Sequence, residues 1–202
     1  MEYQYSIRLV NEDDAEEISA IYKFFVEQTI ITFEYNAPSS DDFLERIRNI
    51  TAQYPWLVFL FGNKIIGYAY ASLHRQRSAY QWSFESTVYL LPEFHRKGIA
   101  RLLYKTLFSL LDIQGYFNVY AGVSLPNEKS VGFHTSIGFT EVGIYKNIGY
   151  KFGSWHDVEW FQFKLKEHAL EPPPPVSIRS ISNSNEVKDI FVLANQSAKK
   201  IK

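Results

Sequence analysis

No cysteine occurs anywhere in the 202 residues. That excludes disulfides, cysteine–zinc sites and any covalent route through a protein thiolate. Apolar runs long enough to span a membrane are also missing; FVEQTIITF and YPWLVFLFG are short and interrupted. The opening MEYQYSIRLVNEDD has no basic segment leading into an apolar run, so no secretory signal is expected. Charge of one sign is not in excess. A formal net charge of −1 gives no general attraction to nucleic acid or anionic lipid. His74, His156 and His168 show no metal-ligand spacing, and no metal is assigned. The expectation is a soluble, cytoplasmic protein without nucleic-acid or membrane partners.

What the chain does have is apolar and aromatic material. With 46% hydrophobic and 17% aromatic residues it can bury a substantial core. YSIRLV alternates like a half-buried strand, and Asn11 to Asp14 offer caps for a helix with Ala15, Ile18, Ile21, Tyr22 and Phe25 on one face. Ser40 is placed to cap a second helix carrying Phe43, Leu44, Ile47 and Ile50. WLVFLF and KIIGYAYAS read as strands joined at Gly62-Asn63, and FESTVYLL as a third. PEFHRKG then leads into a long amphipathic helix closed by Gly115. NVYAGV is a strand, PNEKSVGFHTSIG a short helix, and the stretch to Leu165 two more strands. Hairpins at both ends with helices between them predict an α/β protein with a mixed sheet flanked by helices.

The composition changes near Glu171. EPPPP reads as a stiff linker, which divides the chain into a domain over 1–166, a proline-rich linker over 167–176 and a tail over 177–202. The tail echoes the opening SIRLV segment: a short strand, a polar turn, then a helix with Val187, Ile190, Phe191 and Ala194 on one face and an Asn183–Glu186 capping box. It is either a vestigial second copy of that element or an unrelated tail. Its apolar face is expected to dock, on its own subunit or on a neighbouring one, and to carry no catalytic group.

The segment Phe94-His95-Arg96-Lys97-Gly98-Ile99-Ala100-Arg101 lies between a strand and a helix. First-turn amides have no internal partner and favour an anion, and Gly98 with Ala100 lets a pyrophosphate approach the main chain. Arg96, Lys97 and Arg101 add positive charge. The pattern is neither the G-x-x-x-x-G-K-S/T of a P-loop nor the G-x-G-x-x-G of a dinucleotide fold.

This segment resembles the Q/R-x-x-G-x-G/A motif of the Gcn5-related N-acetyltransferases, with His95 where Gln or Arg is usual. AYQWSFESTVYLLPEFHRKG, LPNEKSVGFHTSIGF and GYKFGSWHDVEWFQ further resemble the phosphinothricin and methionine sulfoximine acetyltransferases, over roughly residues 7–165. The resemblance implies a twisted mixed sheet splayed between its central parallel strands, with the pantetheine of acetyl-CoA in the opening. It implies that Tyr89 and Leu90 present main-chain groups to that arm, and that His95, Arg96, Lys97, Gly98, Ile99, Ala100 and Arg101 hold the pyrophosphate. Asn127 and Ser130 fall near the thioester.

Acetyl transfer to an amine has two proton problems: the ammonium must lose one, and the departing thiolate is stabilised by gaining one. Glu85 shares a strand face with Thr87 and Tyr89, where partial burial would make it a better base; the plain alternative is a carboxylate at a solvated strand end. The resemblance makes it the catalytic base. His134 follows Ser130 by one helical turn, where superfamily members commonly carry a tyrosine as the acid; a packing histidine is the alternative. Arg75 and Arg77 read alone as a solvated turn, but as a guanidinium pair they suit a carboxylate or phosphinate. The resemblance puts them in the acceptor pocket with Phe33, Tyr80 and Tyr89. It implies direct transfer within a ternary complex to a small amino acid or analogue, by a homodimer. The other readings are an acetyltransferase for a polyamine, aminoglycoside or protein amine, or a silent acyl-CoA-binding regulatory module. Glu85 and His134 together argue against the silent module, and the two arginines against polycationic acceptors.

Overall fold

A computed structural model describes residues 4–201; the outermost residues of the expected domain and tail, 1–3 and 202, lie outside the described residues. The elements run β1 (Tyr5–Leu9), α1 (Ala15–Gln28), α2 (Ser40–Thr51), β2 (Trp56–Phe61), β3 (Lys64–Leu73), β4 (Ser83–Leu90), α3 (Ile99–Gln114), β5 (Asn118–Ser124), α4 (Glu128–Ser136), β6 (Thr140–Lys151), β7 (Ser154–Lys164), α5 (Ile178–Ile181) and α6 (Asn185–Ala198). The strands form one mixed sheet in the order β1-β2-β3-β4-β5-β7-β6.

Side-chain alternation sorts the core into two layers. Trp56, Val58 and Leu60 of β2 face α1 and α2, with Ile65 and Tyr68 of β3. Leu57 and Phe59 face the opposite way, toward the side that holds Leu103, Leu107 and Leu110 of α3. A bulge at Phe59/Leu60 shifts the β2–β3 register, which is how Ile66 and Ala69, three residues apart, share the α3 side. α1 buries Ala15, Ile18, Ile21, Tyr22, Phe25 and Val26, the stripe its spacing predicts. The cap of α2 is Ser39, not Ser40: its hydroxyl accepts from the Asp42 amide and the Asp42 carboxylate returns to the Ser39 amide, a closed capping box.

One pairing is incomplete, and it positions the site. β4 runs parallel to β5 only over Ser83–Glu85 against Asn118–Tyr120. Beyond Glu85, β4 stays with β3 as far as Leu90, while β5 stays with β7 as far as Ser124. The two central parallel strands therefore splay apart, leaving main-chain groups between them for a partner other than the sheet.

The tail departs from the expectation in two ways. Residues 178–181, expected as a strand, form the short helix α5, because the Ser177 hydroxyl caps the Ser180 amide and Ile178 turns into the core. The echo of the opening strand therefore has no counterpart in the fold. The cap of α6 is Ser184, which accepts from the Val187 amide, in place of the expected box from Asn183. α6 docks on its own subunit, against α3 and β1, and buries Val187, Ala194 and Ala198. The linker is pinned on the way: Trp82 Nε1 donates to the Pro173 carbonyl at 2.9 Å, and Gln114 Nε2 to the Val176 carbonyl at 2.7 Å.

Candidate active site

The alternation of β4 places neighbouring residues on opposite faces at the base of the splay. Glu85 is half-buried on the α1/α2 side, along with Thr87 and Tyr89. Its Oε1 lies 2.9 Å from Nδ1 of His74, which follows the end of β3. The His74 ring stacks on Tyr120 with centroids 4.4 Å apart and planes 10° apart, and Trp160 stands edge-on to it. Tyr120 is the β5 residue opposite Glu85 in the parallel pairing. In the sequence His74 shows only that it lacks metal-ligand spacing, and nothing there links it to Glu85. The β3–β4 register, Ser72 opposite Glu85, is the signal that brings the end of β3 to the carboxylate.

Ser86, next along β4, points to the α3 side and is buried. Its hydroxyl is 3.3 Å from the Tyr104 hydroxyl, which is 3.4 Å from Nε2 of His134. Nδ1 of His134 donates to the Ser130 carbonyl at 2.8 Å. This fixes the neutral tautomer with an Nε2 lone pair toward Tyr104. Burial holds the His134 imidazole below its ordinary pKa and pushes the Tyr104 phenol up. Asn127 caps α4 through its side-chain oxygen, which accepts from the Ser130 amide. The expected helical-turn spacing of Ser130 and His134 is thus realised as a hydrogen bond to the main chain.

At the start of α3, His95 is extended, Arg96 has φ of +62° and Gly98 φ of +83°. Left-handed residues in such a loop turn successive amides to one side, as an anion requires. A Cβ on Gly98 would meet nothing within 4 Å, so the space over the amides is open and the cradle fits a phosphate ester. Two side chains expected to serve the phosphates are engaged elsewhere. The His95 ring donates from Nε2 to the Leu90 carbonyl at 2.9 Å, tying the loop to the end of β4 and occupying that main-chain acceptor. Arg101 reaches the Ser136 hydroxyl at 3.1 Å, because its helix position turns it toward α4.

Phe33 sits half-buried in the connection between α1 and α2. Its ring lies against the main chain of Gly149, where a Cβ would overlap it, and stacks on His156. Glu34 forms a two-point ion pair with Arg46, at 2.9 and 3.1 Å. Lys151 is buried and donates to the carbonyls of Val26 and Thr32, fastening the β6–β7 hairpin to this connection. Tyr70, which pairs with Thr87 across β3 and β4, packs with Tyr89 against the α1/α2 core, the face that Glu85 shares by alternation. Arg75, Arg77 and Tyr80 are exposed on the β3–β4 connection that begins at His74. Among the described residues, no three His, Asp or Glu side chains converge as metal ligands.

A family model described as an acetyltransferase (GNAT) domain matches residues 7–160. A phosphinothricin N-acetyltransferase of Streptomyces viridochromogenes is 32% identical over 178 residues, 87% of this chain and 94% of that protein. An L-methionine sulfoximine/L-methionine sulfone acetyltransferase of Salmonella typhimurium is 30% identical over 81% of this chain and 96% of its own. The crystal structure of a phosphinothricin acetyltransferase from Sinorhizobium meliloti in complex with acetyl-CoA superposes with a TM-score of 0.81 at 32% identity, covering 86% of this chain and 95% of that one.

Proposed function

The chain belongs to the GNAT acetyltransferase family, and from that premise we propose that it acetylates the amine of a small amino acid or analogue by direct transfer within one ternary complex. Acetyl-CoA is the co-substrate and, when bound, supplies an acetyl group activated as a thioester. The observation that carries the reading is Glu85, half-buried and paired with His74, where the parallel pairing of β4 and β5 ends.

In this reading Glu85 takes the proton that the acceptor ammonium must lose. The main-chain groups of β4 beyond Glu85, through Tyr89 to the Leu90 amide, receive the pantetheine, the Leu90 carbonyl being taken by His95. The amides of residues 95–101 receive the pyrophosphate. The leaving sulfur takes its proton from the nitrogen as the C–S bond breaks; His134, held neutral by burial with its one N–H on the Ser130 carbonyl, serves on the α3 side by accepting from the Tyr104 hydroxyl and orienting it, and not as a free imidazolium. Asn127 and Ser130 hold the helix that carries His134. Arg75 and Arg77, without a bonded carboxylate among the described residues, are the groups for an acceptor's carboxylate or phosphinate. Phe33, Tyr80 and Tyr89 give that acceptor its apolar contacts.

We also propose a cytoplasmic homodimer. Support for the dimer comes from the exposed apolar side chains along the last hairpin, Val142, Ile148, Phe152 and Trp155, each more than half exposed. Light scattering at micromolar concentration tests it; a lone monomer would count against it. Among the described residues no helix is long and apolar enough to cross a membrane.

The test of the activity is release of free CoA with a panel of amino acids, their phosphinate, sulfoximine and sulfone analogues, polyamines, aminoglycosides and peptides. Turnover confined to acceptors bearing an acidic group beside the amine is expected. Turnover confined to polyamines or peptides would overturn the acceptor reading while leaving the family intact.

A further inference from the structure

The reaction releases a proton that Glu85 must pass on. An acceptor ammonium loses two protons as its N–C bond forms and the C–S bond of the thioester breaks. One ends on sulfur and the other must leave the protein before the next turnover. A carboxylate that has taken that proton is spent until it is discharged.

We propose that His74 is the positioning residue of Glu85 and the exit for this proton, an inference that rests on Glu85 being the base. The imidazole is placed by more than its bond to Glu85: Tyr120 covers one face and Trp160 abuts it edge-on, so its in-plane Nδ1 is held on the carboxylate. With Nδ1 at Oε1, the other oxygen, Oε2, is left for the ammonium. At rest Nδ1–H donates to the carboxylate; once Glu85 is protonated, the ring exchanges with water to its Nε2–H tautomer, and the carboxyl then gives its proton to Nδ1 as Nε2 releases one to water, which returns the resting Nδ1–H. The carboxylate is restored and the imidazole stays neutral overall. The side chain of His74 is 13% exposed and that of Glu85 33%, so each of the two has an edge toward water. Among the described residues, the groups packed on His74 are Glu85 from β4, the Tyr120 phenol from β5 and the uncharged Trp160 indole from β7. Only the carboxylate forms an ion pair with it. His134 offers a contrast: its Nδ1 is committed to a main-chain carbonyl and its surroundings are closed, so it has no comparable route outward.

The experiment compares His74→Phe, which keeps a stacking ring, with His74→Gln, which keeps a donor but cannot shuttle. For His74→Phe, kcat/KM is expected to fall roughly 10- to 100-fold through loss of orientation, with the melting temperature and acetyl-CoA Kd unchanged and a shifted pH profile. His74→Gln should recover part of that loss and make kcat rise with buffer or imidazole concentration. In the Glu85→Gln background, His74→Phe should add nothing, since the two act as one unit. An unchanged kcat/KM and pH profile in a folded His74→Phe enzyme would overturn the inference. A fully active Glu85→Gln would overturn the base itself, a separate result.

Discussion

The two faces of β4 carry two histidines in opposite circumstances. On the α1/α2 face, His74 pairs with a carboxylate, stacks on an aromatic ring and keeps an edge toward water. On the α3 face, His134 is 4% exposed, gives its Nδ1–H to a helix carbonyl and meets only hydroxyls and rings. The lesson is that residue type did not set the roles. One imidazole is bonded to a carboxylate and stacked on a ring; the other is held neutral by burial.

The harshest way to break the comparison is to remove the base. Glu85→Gln is expected to lower kcat about 100- to 10,000-fold with acetyl-CoA affinity unchanged by calorimetry. Turnover like the wild type between pH 6 and 9 would place the working carboxylate elsewhere. Next comes the cradle that serves both faces. Gly98→Val puts a branched side chain into the open space over the α3 amides, at a φ that L residues rarely adopt. Loss of one charge-assisted hydrogen bond costs about 1.5–3 kcal/mol, so Kd for acetyl-CoA should rise roughly 10- to 100-fold; calorimetry on the folded variant decides it.

Stability sharpens the contrast on the closed face. Truncation after Lys166 removes Ile178 and Val187 from the core, where each is at most 3% exposed. At about 2 kcal/mol per buried side chain, and roughly 2–4 °C per kcal/mol at this size, the melting temperature should drop by about 10 °C. Turnover per folded active site should stay largely intact, and calorimetric scanning beside an activity assay reads both. The smallest effect is the pH signature of His134. Its folded pKa is lowered by burial, so below about 6.5 the unfolded chain binds a proton that the native one refuses. Its contribution is therefore whole above that pH and lost as pH falls through the folded value. The urea midpoint of His134→Gln should decline less steeply between pH 6.5 and 5 than that of the wild type.

Much of the fold was legible because strand alternation and helical stripes are local signals. Gly115 ending α3 and the Ile18–Phe25 stripe needed no long-range knowledge. Spacing brought Ser130 to His134, and Gly98 opens α3 where the strand–loop–helix pattern put it. What stayed hidden depends on register between distant segments. His74 meets Glu85 only because Ser72 pairs with Glu85, and Tyr104 joins His134 only because α3 and α4 pack side by side. The caps at Ser39 and Ser184 were each missed by one residue, where adjacent polar residues compete equally from sequence alone. The strand expected at 178 gave way to a helical turn that Ser177 caps and Ile178 anchors in the core, and the β1 edge of the sheet is met by α6 instead.

That edge carries a further consequence. The main-chain N–H and C=O of Ile7 on β1 are both satisfied by the side-chain amide of Asn195, at 3.0 Å each. The amide occupies the place of a neighbouring peptide, so α6 plugs one side of the sheet against strand addition by another molecule. The opposite side ends at β6, where the Tyr35 hydroxyl donates to the Tyr150 carbonyl but no side-chain amide spans an N–H and a C=O among the described residues, beside the exposed Val142, Ile148, Phe152 and Trp155. Were the proposed pairing to use that side alone, it would close on itself about a two-fold axis and go no further. Asn195→Ala, by baring Ile7, would open a second side to strand addition, and a closed pair could then grow as a fibre.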